Sequence, residues 1–426
     1  MKRTTPFAAL ILAAAGVAGP AAADDWPQFR GEGARCASST VAPPVTWNVE
    51  TGENIAWAAD LPGNGVSSPI IVGGRAIVTA ASGPENDQLH VLAFDSMTGV
   101  PLWRRQFQAA GRTLCYRTSS VAAPTPVSDG KRVYAFYSSN DLVCLDLDGN
   151  LLWIRDLTAT HPGLGNDLGM AASPVVAGGM VIVQCECQSV SFAAAFDGET
   201  GEKTWEIARD KSSNWTSPLA VDYETDGRSL AGVLLQARSG LTLVNAVSGD
   251  AVWQESIEGV SISSPTGSDL VLAPAGGLSA FKPTADGFQP VWQSSRVRPS
   301  ATSPVIADGK AFVIARGGIL SAVDLATGKL VPGSKKRLGG SFWATPLAAG
   351  GKLFCINESG DAFVIDAGTG DELGAATFGE SIYGSPAAAD GGMFVRSNSK
   401  LWKIATVEQA DAGYRGRRDT AGANRR

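Results

Sequence analysis

The chain has 426 residues, 35 Lys+Arg against 41 Asp+Glu for a net charge of −6, and 44% hydrophobic residues. That composition is globular and excludes wholesale disorder, a collagen repeat and an extended coiled coil. Past the N-terminus no apolar run reaches the roughly 18–20 residues of a membrane-spanning helix. The acidic balance offers no basic field for nucleic acid or anionic lipid, and two His leave little room for His-based metal or triad chemistry.

Lys2 and Arg3 precede an apolar stretch from Phe7 to Val17, and small residues then end in Ala21-Ala22-Ala23 before Asp24-Asp25. This is the pattern of a secretory signal peptide, residues 1–23, cleaved after Ala23. Its apolar core is short for a membrane anchor, and no Cys stands at the cleavage point for lipid attachment. The expectation is an exported chain, periplasmic or secreted, with no integral membrane segment after signal removal. Export brings Cys36, Cys115, Cys144, Cys185, Cys187 and Cys355 into an oxidising compartment, where six Cys allow fifteen full pairings. Cys185-Glu186-Cys187 would put two side chains on one face of a strand. Without further ligands at metal spacing they read as buried strand thiols.

After a leading segment, residues 24–53, one unit repeats. An apolar strand, an Asp, about two residues, Thr-Gly or a relative, three residues and a Trp recur. The copies are AFDSMTGVPLW ending at Trp103, CLDLDGNLLW at Trp153, AFDGETGEKTW at Trp205, VNAVSGDAVW at Trp253 and the looser AFKPTADGFQPVW at Trp292. VDLATGKLVP and IDAGTGDELG keep the Asp and Gly but carry Pro332 and Gly374 where the Trp would stand. Each copy is followed by Ser/Thr-Pro opening another apolar strand, at Pro69, Pro126, Pro174, Pro218, Pro265, Pro304, Pro346 and Pro386. Their mean spacing of about 45 residues is that of a four-stranded propeller blade.

Each part of the motif has a task in such a blade. Gly99, Gly149, Gly201, Gly249, Gly328 and Gly370 supply the positive φ of a tight hairpin, and the preceding Asp accepts backbone N–H bonds across the turn. The Trp lies on the outer strand, where its ring fills the space between neighbouring sheets. The sequence after Pro386 suffices for three strands, and Asn54-Ile55-Ala56-Trp57 supplies the fourth. The expected fold is all-β, an eight-bladed propeller over 54–405 closed by the N-terminal strand, which removes an exposed sheet edge. Residues 406–426 carry Gly, Ala and charge without apolar periodicity and read as a disordered tail.

The repeat resembles the PQQ-like, or quinoprotein-like, eight-bladed β-propeller family across residues 54–405. DDWPQFRGEGAR, leading through ENIAWAADLPGNGVSSPIIVGG, resembles the opening of exported bacterial PQQ-binding-like propeller proteins. Quinoprotein dehydrogenases on this scaffold use pyrroloquinoline quinone with Ca²⁺, which requires hard oxygen ligands and a flat apolar sandwich. This chain has no Cys-Cys pair, no CxxCH and no long insertions, so no cofactor is expected. Neither HExxH, GxSxG, a P-loop nor GxGxxG between strand and helix occurs. His90, in the alternating strand LHVLAFD, reads as hydrogen-bonded structure. Asp146-Leu147-Asp148-Gly149-Asn150 aligns with the repeat turn and lacks the Glu of a calcium loop.

Candidate binding residues come from loop length and from position in the unit. The interval from motif Trp to next Pro is 12 or 13 residues after Trp57, Trp205, Trp253 and Trp292, but 23 after Trp103 and 21 after Trp153. The first long loop holds Arg112, Tyr116 and Arg117, the second His161, Asn166 and Asp167, and insertions of this kind gather on a propeller's binding face. The residues three before each Pro are Val66, Ala123, Ala171, Trp215, Ile262, Ala301, Trp343 and Tyr383. They enter the innermost strands near the mouth of the central channel, so Trp215, Trp343 and Tyr383, with Arg298 nearby, complete the candidate set. The reading is a monomeric, non-catalytic exported scaffold that binds a protein or peptide of the cell envelope on its long-loop face. A role like that of BamB in outer-membrane protein assembly is the first alternative and a quinone-dependent dehydrogenase the second.

Overall fold

The computed structural model describes residues 25–409 apart from Ser268 and Asp286; the signal-peptide reading and the Arg-bearing end of the tail lie outside the described residues. Eight sheets form a ring of blades, each antiparallel and meandering from the centre outward. The innermost strands of blades 1 to 8 are Ile70–Val72, Val127–Ser128, Val175–Ala177, Leu219–Thr225, Thr266–Gly267, Val305–Ala307, Leu347–Ala349 and Ala387–Ala389. Each begins at the residue directly after one of the eight Pro. The ring closes as the sequence predicts. Ile55–Asp60 pairs antiparallel with Lys400–Ile404, setting Ala58 opposite Trp402. Blade 7 gains an unforeseen fifth strand, because Ala37–Ser38 pairs parallel with the innermost Leu347–Ala349.

The turn chemistry is local. Asp95 Oδ1 accepts from the amides of Met97 and Thr98, and the amide of Gly99, at φ 71°, donates to Asp95 O. Asp197, Asp324 and Asp366 repeat this with their own Thr-Gly. Blade 8 has the same turn in the leading segment, which the sequence reading did not identify. Asn48 Oδ1 accepts from Glu50 and Thr51, and Gly52, at φ 81°, donates to Asn48 O. Asn stands in the Asp position, as Asn245 does in blade 4, and the turn is separated from its sheet partners by nearly the whole chain.

The Trp residues join blades. The indole N–H of Trp57, Trp103, Trp153, Trp205 and Trp292 donates to the carbonyl just past the next blade's turn Asp or Asn, on Ser96, Leu147, Gly198, Ala246 and Leu325, at 2.8–3.3 Å. The turn glycine lies flat on that ring. A Cβ on Gly201 would fall 2.5 Å from Trp153, so this position needs glycine for space as well as for φ. Trp253 packs instead against Phe281 and Phe288, with ring centroids 5.5 and 5.2 Å away. All six cysteines are free thiols, five buried and Cys115 half-buried, and Cys185 and Cys187 share one core cluster. Burial pushes the Cys36, Cys144 and Cys355 thiols up to about 12.

The leading segment also crosses the underside of the ring. Trp26 bridges Ile71 in blade 1, and Pro27 O accepts from Ser128 in blade 2. Arg30 Nη2 donates to Pro265 O, Thr266 Oγ1 to Ala34 O, and the Ala348 amide of blade 7 to Cys36 O.

Candidate functional site: the central funnel

The eight residues three before each Pro line one cavity of about 360 Å³ on the ring axis. Alternation along the extended backbone that leads into each innermost strand explains it. The residue three before the Pro faces the lumen, the next packs between blades, as Thr216, Ser263 and Thr302 do at 0% exposure, and the Ser or Thr before the Pro faces the lumen again.

Those hydroxyls form a belt. The Ser68 amide donates to Thr125 Oγ1, Thr125 to Ser173 Oγ, Ser173 to Ser217, Ser217 to Ser264, Ser264 to Ser303, Ser303 to Thr345 and Thr345 to Ser385, at 2.9–3.1 Å. Each oxygen except that of Ser68 thus spends acceptor capacity on a backbone N–H of the preceding blade. Its own O–H makes no bond to protein and is directed by elimination to the cavity, which all eight hydroxyls line. Only Ser68 Oγ has no partner of either kind.

Phe29 of the leading segment lines the lower end of the cavity, with the Arg30 guanidinium 4.8 Å from its ring centroid on the far side of the lining. Arg30 is fully buried, and loss of hydration lowers its pKa to about 10, an effect partly offset by Cys36. At the mouth, the two long loops meet. The Tyr116 amide donates to Leu168 O at 3.1 Å, and Arg112 pairs with Asp167 at 2.7 Å. Trp215 Nε1–H donates to Gly169 O at 2.7 Å and Trp343 Nε1–H to Glu358 Oε2 at 3.0 Å, which fixes both indoles while their faces line the funnel.

The structure therefore brings together Tyr116, Trp215, Trp343 and Tyr383 and leaves the other candidates outside the lining. Arg112 and Asp167 form an exposed clamp between loops. Arg117 is exposed beside Tyr116, and Arg298 is exposed with its Nε–H on Ser295 O. Asn166 shapes its loop by accepting from the Leu168 amide. His161 turns outward to blade 3, stacking on Phe192 with centroids 4.3 Å apart and meeting Glu206 Oε1 at 3.0 Å. Lys203 and His161 together hold the Glu206 carboxyl below its usual range against the opposing effect of burial. The sequence reading missed Phe29 and the belt. The belt was on view in every Ser/Thr-Pro; Phe29 lies in no repeat.

No side chain that lines the funnel is charged. Pyrroloquinoline quinone carries three carboxylates, and Ca²⁺ requires several oxygen ligands, carboxylates among them. The lining supplies hydroxyls, aliphatic carbon and aromatic rings, and among the described residues no group of three His, Cys, Asp or Glu is placed to hold a metal. The residues present do not fit the quinone–calcium pair.

The family model described as outer membrane protein assembly factor BamB matches residues 28–168, 164–275 and 317–413. The chain belongs to this family of PQQ-like propellers. Among curated proteins none matches. Solved structures show the same fold at low identity. BamB from Moraxella catarrhalis is 16% identical, with a TM-score of 0.62 over 83% of this chain and 97% of that one. The quinohemoprotein alcohol dehydrogenase from Comamonas testosteroni is 14% identical, with a TM-score of 0.65 over 90% and 81%. A europium-containing methanol dehydrogenase is 12% identical, with a TM-score of 0.64 over 89% and 98%.

Proposed function

We propose that this chain is an exported, non-catalytic propeller that holds an apolar segment of an envelope protein or peptide in the mouth of its central funnel. The observation that carries the proposal is a cavity with an uncharged lining whose mouth leaves large apolar side chains in water. Tyr116, Leu168, Ile262 and Trp343 are 47, 47, 38 and 41% exposed and all line it. Isolated apolar residues on a surface need no explanation, but several exposed around one concave opening mark a binding site. An inserted segment would bury its side chains among Trp215, Trp343 and Tyr383 and offer main-chain carbonyls to the hydroxyl belt. Because the lining lacks charge, the segment must be neutral. Among the described residues no helix is long and apolar enough to cross a membrane, in keeping with a periplasmic or secreted location.

Aromatic anchors of this kind dominate binding energy. Trp215→Ala and Trp343→Ala should each weaken partner capture about tenfold or more while the unfolding midpoint stays near wild type. Undiminished capture by both variants refutes the funnel as the site. Family membership favours a narrower reading, a BamB-like role in outer-membrane protein assembly. It requires co-purification with that machinery, and failure to co-purify from envelope extracts removes it. Quinone- and Ca²⁺-dependent dye reduction by the purified chain would overturn the non-catalytic reading.

A further inference from the structure

The junction between blades 6 and 7 departs from the arrangement that joins five of the eight blade pairs. At five junctions an indole lies on the turn glycine and donates to the carbonyl one past the turn Asp or Asn. At this one the turn is intact. Asp366 Oδ1 accepts from Gly368 and Thr369, and Gly370 stands at φ 82°. The indole is missing, since Pro332 occupies the Trp position, and no atom lies within 4 Å of where a Cβ on Gly370 would be. A cavity of about 160 Å³ opens there, walled by Phe312, Leu320, Val331, Leu353 and Ile365 and by the turn itself. It is reachable from outside because the outer strand of blade 6 is reduced to Lys336–Arg337.

We propose that this cavity is a binding site for a tryptophan side chain presented by a partner protein. The internal comparison identifies the occupant. The same turn, the same flat glycine and the same carbonyl, here Ala367 O, receive an indole wherever the chain supplies one. Lys310 Nζ now donates to Ala367 O at 2.8 Å and to Gly368 O at 3.2 Å. A carbonyl has two lone pairs, so an indole N–H can share Ala367 O with the lysine or displace its flexible ammonium. A phenyl ring or an aliphatic side chain would fill the space without using that acceptor, which sets the preference for tryptophan. This site lies on the outer rim and does not depend on the funnel.

The test uses N-acetyl-L-tryptophanamide with the full chain, followed by NMR. Expected are saturable shifts, with intermolecular NOEs from indole protons to Leu353 and Ile365 methyls, and at least about fivefold weaker binding of N-acetyl-L-leucinamide. In Pro332→Trp the chain fills its own cavity and the shifts should vanish, whereas Pro332→Ala should keep them. The NOEs locate the ligand in wild-type protein even if Pro332→Trp folds poorly. Absence of saturable binding, equal binding of the leucine amide, or NOEs elsewhere overturns the proposal.

Discussion

His90 shows how a buried polar residue is put to structural use. It sits at 0% exposure in the second-outermost strand of blade 1, with Nε2 2.7 Å from Ser82 Oγ and the ring 3.3–3.4 Å from Arg104 Nη2. Burial first, and the Arg104 charge second, lower its pKa from 6.5 to about 4. The folded imidazole is therefore neutral where the unfolded one takes up a proton. Its contribution to stability is complete above pH 6.5 and is lost progressively as pH falls through 6.5 towards 4. Urea titrations at pH 7 and pH 5 should show a smaller acid-side loss in His90→Gln than in wild type; equal losses would assign the pH dependence to other groups. Trp205 tests packing at the same scale. It is 8% exposed and bonded to Ala246 O, so Trp205→Ala should cost about 3–5 kcal/mol, and a loss below about 1 would contradict its inter-blade role.

At the scale of the element, the hairpin turn separates two demands on glycine. Gly201 and Gly370 both hold positive φ, 68° and 82°, but only Gly201 supports an indole. Gly370→Ala should cost the left-handed backbone strain alone, about 1–2 kcal/mol. Gly201→Ala must also displace Trp153 and should cost clearly more; similar denaturation midpoints for the two variants would show that the ring moves aside freely. This double role is why the blades were so legible. A residue needed for φ and for contact recurs at fixed spacing, and so do the lumen-facing Trp215, Trp343 and Tyr383. What recurs nowhere could not be read. The Asn48–Gly52 turn, the added strand Ala37–Ser38 and Phe29 at the cavity's lower end depend on contacts between distant parts of the chain. His161 and Arg112 were chosen from loop length, but the path of each loop was decided by Glu206, Phe192 and Asp167.

The whole ring has one seam, where its two ends meet. The hydroxyl belt runs without a break from Ser68 to Ser385 but lacks the link from blade 8 to blade 1, leaving Ser68 Oγ unpartnered. Other bonds take over at that junction. Arg396, 1% exposed, sends Nη1 to Thr79 O at 2.7 Å and to Ser67 Oγ at 3.2 Å, and the Gly65 amide donates to Asn398 Oδ1. Ser96 Oγ donates to Asp390, and Trp57 reaches Ser96 O. Burial lowers the Arg396 pKa to about 9, so the guanidinium is still charged at neutral pH and its bonds across the seam are charge-assisted. Removing it leaves Thr79 O and Ser67 Oγ without this donor and opens a cavity, so Arg396→Ala should destabilise the ring by roughly 2–5 kcal/mol. The loss should be local before it is global, because Ile55–Asp60 is held to Lys400–Ile404 by pairing without a covalent hairpin. In that variant, amide exchange should accelerate more in Ile55–Asp60 and Lys400–Ile404 than at Leu234 and Leu243 in blade 4, which face each other across an intact pair of strands. Equal acceleration at both places would mean that the ring opens as one unit and that the seam is no weaker than any other junction.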